Sequence, residues 1–344
     1  MRRGTRETAV LTSVIEQYTR TGEPVASAVV ARDSRLGLSA ASIRSVMAAL
    51  TEQGYLEQPH VSAGRIPTAK AFRVYVDTVL TPSPLPKAKE DALIKALNPD
   101  DADISQMLRR ASAVVANHSM QLSVVLAPRR DEMRWRTIEF SPVSPKLVLA
   151  VLILDGGSAK TRMVSVSAAY TADELTRFSN YLNSSFAGCT LSEVRMRIAA
   201  ELDLAVEKLE EMCHKALMLT KPALDDAGTE REFFLDGIGQ VSHTSAFADA
   251  ARLRELLSFM EERPKILDLL ERTMSSSDIS VSFIQGEYDA ATWAVVSAPY
   301  APRTGTAPLG VISAIGLLHM NYAAVLPVVT TVAASVTCAM RRRL

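Results

Sequence analysis

Apolar positions in the first eighty residues recur at helical spacing in short, separated runs. Val10, Leu11, Val14, Ile15 and Tyr18 share one face of a helix predicted over 5–20, and Gly22 with Pro24 ends it. A shorter helix through Val25, Val29 and Val30 follows, then a tight turn at Leu36-Gly37-Leu38, where glycine tolerates positive φ. Ser39 is placed to cap a third helix, in which Ile43, Val46, Met47 and Leu50 form an inward stripe. That stripe leaves Ala40, Ala41, Ser42, Arg44, Ser45 and Ala48 on the outer or flanking surfaces. Gly54 follows the helix end, 55–58 reads as a strand, and 59–67 reads as a loop bounded by prolines. A fourth helix from Thr68 carries Phe72, Tyr75, Val76, Val79 and Leu80 on one face. A capped helix with a small outer face, then a strand and a Gly-containing basic loop, suits entry into a DNA groove with a wing beside it.

The run Thr81-Pro-Ser-Pro-Leu-Pro86 is extended and stiff, and closes this first module. A charged helical stretch follows, then an amphipathic helix with Ile104, Met107, Leu108, Ala111 and Val115. Strands are expected at 122–126, 137–140 and 147–154, with Asp155-Gly-Gly-Ser158 as a hairpin turn into 162–167. Thr171-Ala-Asp-Glu174 and Thr190-Leu-Ser-Glu193 are capping boxes, each opening a helix. The second of these predicts one long helix, with Leu191, Val194, Ile198, Leu202, Ala205, Leu209 and Met212 near a 3.5-residue repeat. Such a stripe buries itself within its own domain or against a twin chain. Then come a short strand at 233–235, helices around Leu253–Met260 and Ile266–Leu270, and strands near 279–284, 292–297 and 309–313. Helices among largely antiparallel strands predict an α+β class.

The uncharged segment 322–340, followed by Arg341-Arg-Arg343, is long enough for a membrane span. Its valines at 325, 328, 329, 332 and 336 form a single helical stripe, interrupted elsewhere by Thr and Ser. A buried terminal helix is therefore expected in place of an anchor.

Charge and cysteine usage narrow the chemistry. Lys plus Arg (38) equals Asp plus Glu (38), so any nucleic-acid contact must rest on a local patch. Residues 1–80 are mildly basic, with ten cationic side chains against seven acidic. Three scattered cysteines make neither a disulfide framework nor a four-cysteine zinc site, and no signal-peptide pattern opens the chain. A cytoplasmic, nucleoid-associated protein is expected, with no membrane partner. His118 and His214 lack metal spacing, and Asp155-Gly-Gly-Ser158 is neither a nucleophile elbow nor a phosphate loop. No catalytic constellation stands out, so the expectation is a binding protein and not an enzyme, with no cofactor and no metal. Arg44 offers a bidentate fork to guanine, and His60, Ser62 and Arg65, with Gly64 giving the bend, are candidates for phosphate contact.

Thr21-Gly-Glu-Pro-Val25, Leu38-Ser-Ala-Ala-Ser-Ile-Arg44, Gly54-Tyr-Leu-Glu-Gln-Pro-His60, Ser62-Ala-Gly-Arg-Ile-Pro-Thr68 and Phe72-Arg-Val-Tyr-Val-Asp77 together resemble the HrcA family of heat-inducible transcription repressors. Weaker echoes continue at Leu147-Val-Leu-Ala-Val151, Asn180-Tyr-Leu-Asn183, Gly310-Val-Ile312 and Met320-Asn-Tyr322. The resemblance implies a winged-helix DNA-binding domain (1–80), a linker and connecting helix (81–101), and a GAF-like α+β domain in two parts (102–186 and 276–344). Between those parts it implies an inserted dimerisation domain (187–275). It further implies a homodimer on an inverted-repeat operator in double-stranded DNA upstream of chaperone genes, relieved on heat stress through titration of a GroEL-type chaperonin. The residues assigned to DNA are Ser27, Ser39, Ala41, Ser42, Arg44, Ser45, His60, Ser62, Gly64, Arg65, Lys70 and Arg73. Departures are visible. Ala40-Ala-Ser-Ile-Arg-Ser45 stands where the family tends to have Pro-Ala-Thr-Ile-Arg-Asn, and Ala26, Ala28, Val61 and Ala71 stand where Gly, Arg, Thr and Gly are common. Ser45 lacks the amide that reads adenine in two hydrogen bonds. Two rival readings are a small-molecule-responsive regulator sensing through the GAF-like domain, and a membrane-tethered interaction protein.

Overall fold

The computed structural model describes residues 6–33, 36–60, 63–80, 83–97, 104–155, 159–204, 211–225, 231–242, 258, 263–274, 278–285, 292–301 and 308–342. The N-terminal head is built from α1 (Arg6–Thr21), α2 (Ser27–Val30) and α3 (Ala40–Glu52). A two-stranded ribbon follows, β1 (Leu56–Glu57) with β2 (Ile66–Pro67), and then α4 (Ala69–Val74), which continues as a π-helical turn over Tyr75–Val79. The expected inward stripes hold: Val10, Leu11, Val14 and Ile15 from α1, Ile43, Met47 and Leu50 from α3, and Phe72 from α4 are buried in one core. The predicted loop 59–67 is shorter than expected, because its end pairs as β2, Leu56 opposite Pro67 and Glu57 opposite Ile66. Pro67 lacks only an N–H, and an edge position in so short a ribbon accommodates that.

The body is a five-stranded antiparallel sheet in the order β7-β3-β10-β9-β8, made of β3 (Leu122–Leu126), β7 (Phe233–Asp236), β8 (Ser280–Gln285), β9 (Thr292–Tyr300) and β10 (Gly310–Leu317). Central β3 and β10 are buried along their whole length, as strands covered on both faces must be. One face carries α6 (Ile104–Ser119) and the C-terminal helix α12 (Tyr322–Arg341), with α5 (Lys87–Leu97) packed on both. The other carries α11 (Arg263–Met274), with α10 (Ile238–Ser242) alongside β3. Helices covering an antiparallel sheet give the α+β class that the sequence predicts. Helix α12 is long and apolar enough to cross a membrane, yet Val325, Val329, Val332 and Val336 lie in the core and Val328 is buried as well. Inside the sheet the Ser297 and Ser313 hydroxyls bond each other at 2.9 Å, and Tyr300 donates to the Leu126 carbonyl at 2.8 Å. Burial raises the Tyr300 pKa well above that of an ordinary phenol, so it stays a donor.

Between β3 and β7 the chain leaves the body to form a second core. It holds the antiparallel sheet β4 (Trp135–Ser144), β5 (Leu147–Leu154) and β6 (Ala159–Ser165), and the helices α7 (Ala172–Phe186), α8 (Leu191–Leu204) and α9 (Glu211–Asp225). The expected insertion at 187–275 does not coincide with this unit. Its buried side chains run from Trp135 to Leu224, whereas β7 is a strand of the five-stranded sheet and α11 packs on it. Periodicity gives each strand but not its sheet, and β4–β6 pair as strands in a sheet of their own. Asn183 joins the layers: its Oδ1 accepts from the Ile138 N–H (2.7 Å) and the Trp135 indole (3.1 Å), and its amide donates to the Ile138 carbonyl (3.0 Å).

The single helix expected from Leu191 through Met212 is also corrected. Near the start of α8, Arg195 donates to the Leu224 carbonyl at the end of α9 (2.7 Å), which requires the chain to reverse between them. Leu191, Val194 and Ile198 thus bury within their own unit. The turn residues 156–158 and the helix expected around 253–260, apart from residue 258, lie outside the described residues.

Candidate nucleic-acid interface

Helix α3 opens where Gly37 takes φ +59°, a value that favours glycine, and reverses the chain after α2. The Ser39 hydroxyl then accepts from the Ser42 N–H at 3.2 Å and donates to the Ser42 hydroxyl at 3.1 Å. Ser39 is therefore the cap, with its hydroxyl occupied. Burial of Ile43, Met47 and Leu50 fixes the rotation of α3 and turns Ala41, Arg44, Ser45 and Ala48 into solvent, with Ser42 half-exposed beside them. Ser27, at the start of α2, is half-exposed.

The wing is held at its root. The Val25 and Arg65 backbones exchange both hydrogen bonds at 2.9 Å, adding a third short rung to the ribbon. Gly64 permits this, because a Cβ there would lie 2.5 Å from the Val25 carbonyl carbon. Its role is close approach, whereas the sequence suggested a bend. Farther out, Gln58 Nε2 donates to the Ala63 carbonyl (3.1 Å), and the Ala63 N–H to the His60 carbonyl (2.9 Å). His60 is exposed; Ser62, with Val61, lies outside the described residues.

Three of the cations assigned to DNA are occupied elsewhere. Arg65 is half-buried and its Nε donates to Thr51 Oγ1 (3.0 Å), whose own hydroxyl donates to the Met47 carbonyl (2.8 Å). Lys70 Nζ donates to the Gln53 carbonyl (2.8 Å) and sits 4.5 Å over the Tyr55 ring. Lys70 thus satisfies a carbonyl at the C-terminus of α3, where the helix dipole favours positive charge, and Arg65 is tied to the same turn through the Thr51 hydroxyl. Arg73 points away from α3 altogether. Its Nη1 donates to the Val281 carbonyl of β8 (2.7 Å), and its guanidinium lies 4.9 Å from the Phe283 ring. Its assignment to the DNA surface is corrected, since a helical face predicted from spacing gives no sign of which neighbour it meets. Arg44 remains as the cation projecting from α3, with Arg6, Arg20 and Arg32 exposed elsewhere on the head.

Sequence reasoning missed the aromatic joint behind the head. Phe72 lies 5.8 Å from Tyr322 and 6.5 Å from Tyr18. Tyr322 meets Phe283 at 6.4 Å, and Tyr18 meets His319 edge-on at 5.6 Å. Among the described residues, no cluster of three His, Cys, Asp or Glu side chains is arranged to hold a metal.

The family model described as HrcA protein C terminal domain matches residues 105–326. A heat-inducible transcription repressor HrcA from Nitratidesulfovibrio vulgaris (strain DSM 19637 / Miyazaki F) is 47% identical over 345 residues, covering 99% of this chain and 96% of its own length. One from Geobacter sulfurreducens is 34% identical, with 94% of each chain covered. A solved structure described as a hypothetical protein at 2.2 Å resolution superimposes with a TM-score of 0.63 at 20% identity, over 98% of this chain and all of its own, and shares the fold. By these matches the chain belongs to the HrcA family of heat-inducible transcription repressors.

Proposed function

We propose that this chain represses heat-shock chaperone genes by covering an inverted-repeat operator as a homodimer. The observation that carries the reading is the outward presentation of Ala41, Arg44 and Ser45 on a helix whose opposite face is buried, beside a wing tied to its root. The helix enters the major groove, Arg44 reaches a base edge, and His60 with Ser62 meets the backbone beside it. With Arg65 and Lys70 held at the end of α3, the exposed arginines among the described residues of the head are Arg6, Arg20, Arg32 and Arg44. Tight binding then comes from linking two heads, which raises the effective concentration of the second.

The three-stranded sheet of the inserted unit supports a dimer. Leu147, Leu149, Val151 and Ile153 alternate with the buried residues of β5, are half-buried, and belong to none of the three cores. Met163, opposite Leu149 on β6, is 45% exposed. A second copy laid on this face would cover an aliphatic stripe bordered by Thr137, Ser141 and Thr161. Release on heat stress follows from dependence on a GroEL-type chaperonin, which unfolded protein occupies in heated cells.

Arg44→Ala tests the DNA-reading face. Preference for operator over random DNA, measured in gel shifts at one salt concentration, should fall by about 1–3 kcal/mol. Unchanged discrimination would remove Arg44 from the base-reading surface.

A further inference from the structure

We propose that Arg73 is a positioning residue that fixes the angle of each DNA-reading head on its body, so that two heads in a dimer fall in register with two half-sites. This rests on the dimeric repressor reading above. A head joined only through the stretch of chain that follows Leu80 would be free to rotate, and the spacing between recognition helices would be set by chance encounter. The joint removes that freedom. Buried side chains of the head, Phe72 among them, and of the body, Tyr322 and Val325 among them, belong to one continuous core. Phe72 is fully buried against Tyr322, whose hydroxyl donates to the Leu318 carbonyl at 2.6 Å.

Apolar contact alone resists separation better than it resists sliding, because it has little directional preference. Arg73 supplies the direction. Its Nη1 donates to the Val281 carbonyl at 2.7 Å while its guanidinium lies against the Phe283 ring, so the hydrogen bond and the ring contact together fix one orientation. Val281 and Phe283 sit on β8, the outermost strand of the five-stranded sheet, whose outer edge has no neighbouring strand among the described residues. The head thus reads its angle from a sheet edge, and the same contact blunts that edge against pairing with other chains.

A residue that positions the head acts on two half-sites together and leaves one half-site alone. Arg73→Ala and, on the body side, Phe283→Leu would be compared with the unaltered chain on a full inverted repeat and on a single half-site, each across a salt series. Both variants should bind the half-site as the unaltered chain does, with the same salt slope. Both should lose on the order of tenfold in affinity for the full repeat, the scale of one charge-assisted hydrogen bond. Full-repeat affinity kept by both variants overturns the proposal. So does an equal loss on half-site and full repeat, which would mean a damaged head. A salt slope reduced by about one for Arg73→Ala alone would make Arg73 a phosphate contact and overturn it as well. If the unaltered chain itself shows no preference for the full repeat, the dimeric reading fails first and this proposal with it.

Discussion

Arginine 44 and arginine 65 differ in what surrounds them more than in their distance from the recognition helix. Arg44 stands on the exposed face of α3, while Arg65 spends its Nε on Thr51 at the end of that helix. The outward position of Arg44 was readable from spacing, since a stripe of Ile43, Met47 and Leu50 leaves it no other side. The tethering of Arg65 to the Thr51 hydroxyl and of Lys70 to the Gln53 carbonyl was not, because it depends on partners brought near by tertiary folding. Gly64 shows the same limit. Its Cβ-free approach to Val25 is a contact across 39 residues of chain, and nothing local announces it. Gly64→Ala should destabilise the head by about 1–3 kcal/mol through overpacking against backbone, read as a lower urea midpoint; an unchanged midpoint would show that the wing root yields freely.

At the level of elements, capping chemistry was the most readable feature. Thr171 and Glu174 form a complete box at the start of α7, and Thr190 with Glu193 makes the same exchange at α8. Hydrogen bonds from the Thr171 backbone and then its side chain hold the Glu174 carboxyl below its ordinary pKa, and the Thr190 backbone does the same for Glu193. A carboxyl with a depressed folded pKa contributes stability that is complete above the unfolded value and is lost as pH falls through the folded one. Amide exchange at the first turn of α7 should therefore quicken as pH drops below the ordinary glutamate range, after correction for intrinsic rates. In Glu174→Gln that acid-side loss should disappear; an identical pH profile in the two proteins would count against the box. Elements were harder to assign to layers than to recognise. Strands β5 and β3 look alike as apolar runs, yet β3 is buried on both faces and β5 alternates, and only the pairing shows that they belong to different sheets. Reversal between α8 and α9 was hidden because a 3.5-residue stripe fits one straight helix and two antiparallel ones equally well.

For the whole molecule, three cores divide the work: a head fused to a body, a far face of that body, and an inserted unit projecting from neighbouring strands β3 and β7. The open aliphatic face of the insertion predicts that Val151→Asp, placed in its middle strand, separates the dimer. Sedimentation should then give a monomer with unchanged far-ultraviolet dichroism and weakened operator binding; a dimer of undiminished stability would move the interface elsewhere. Among the described residues α12 is the one helix long and apolar enough to cross a membrane, and its valine stripe lies inside a core.

Repression of heat-shock chaperone genes by this chain can be read by mapping the DNA it binds across its genome before and after a heat pulse. Occupancy concentrated at inverted repeats upstream of chaperone genes, and falling within minutes of heating, is the predicted result. Occupancy absent from those promoters, or unchanged by heat, would contradict it.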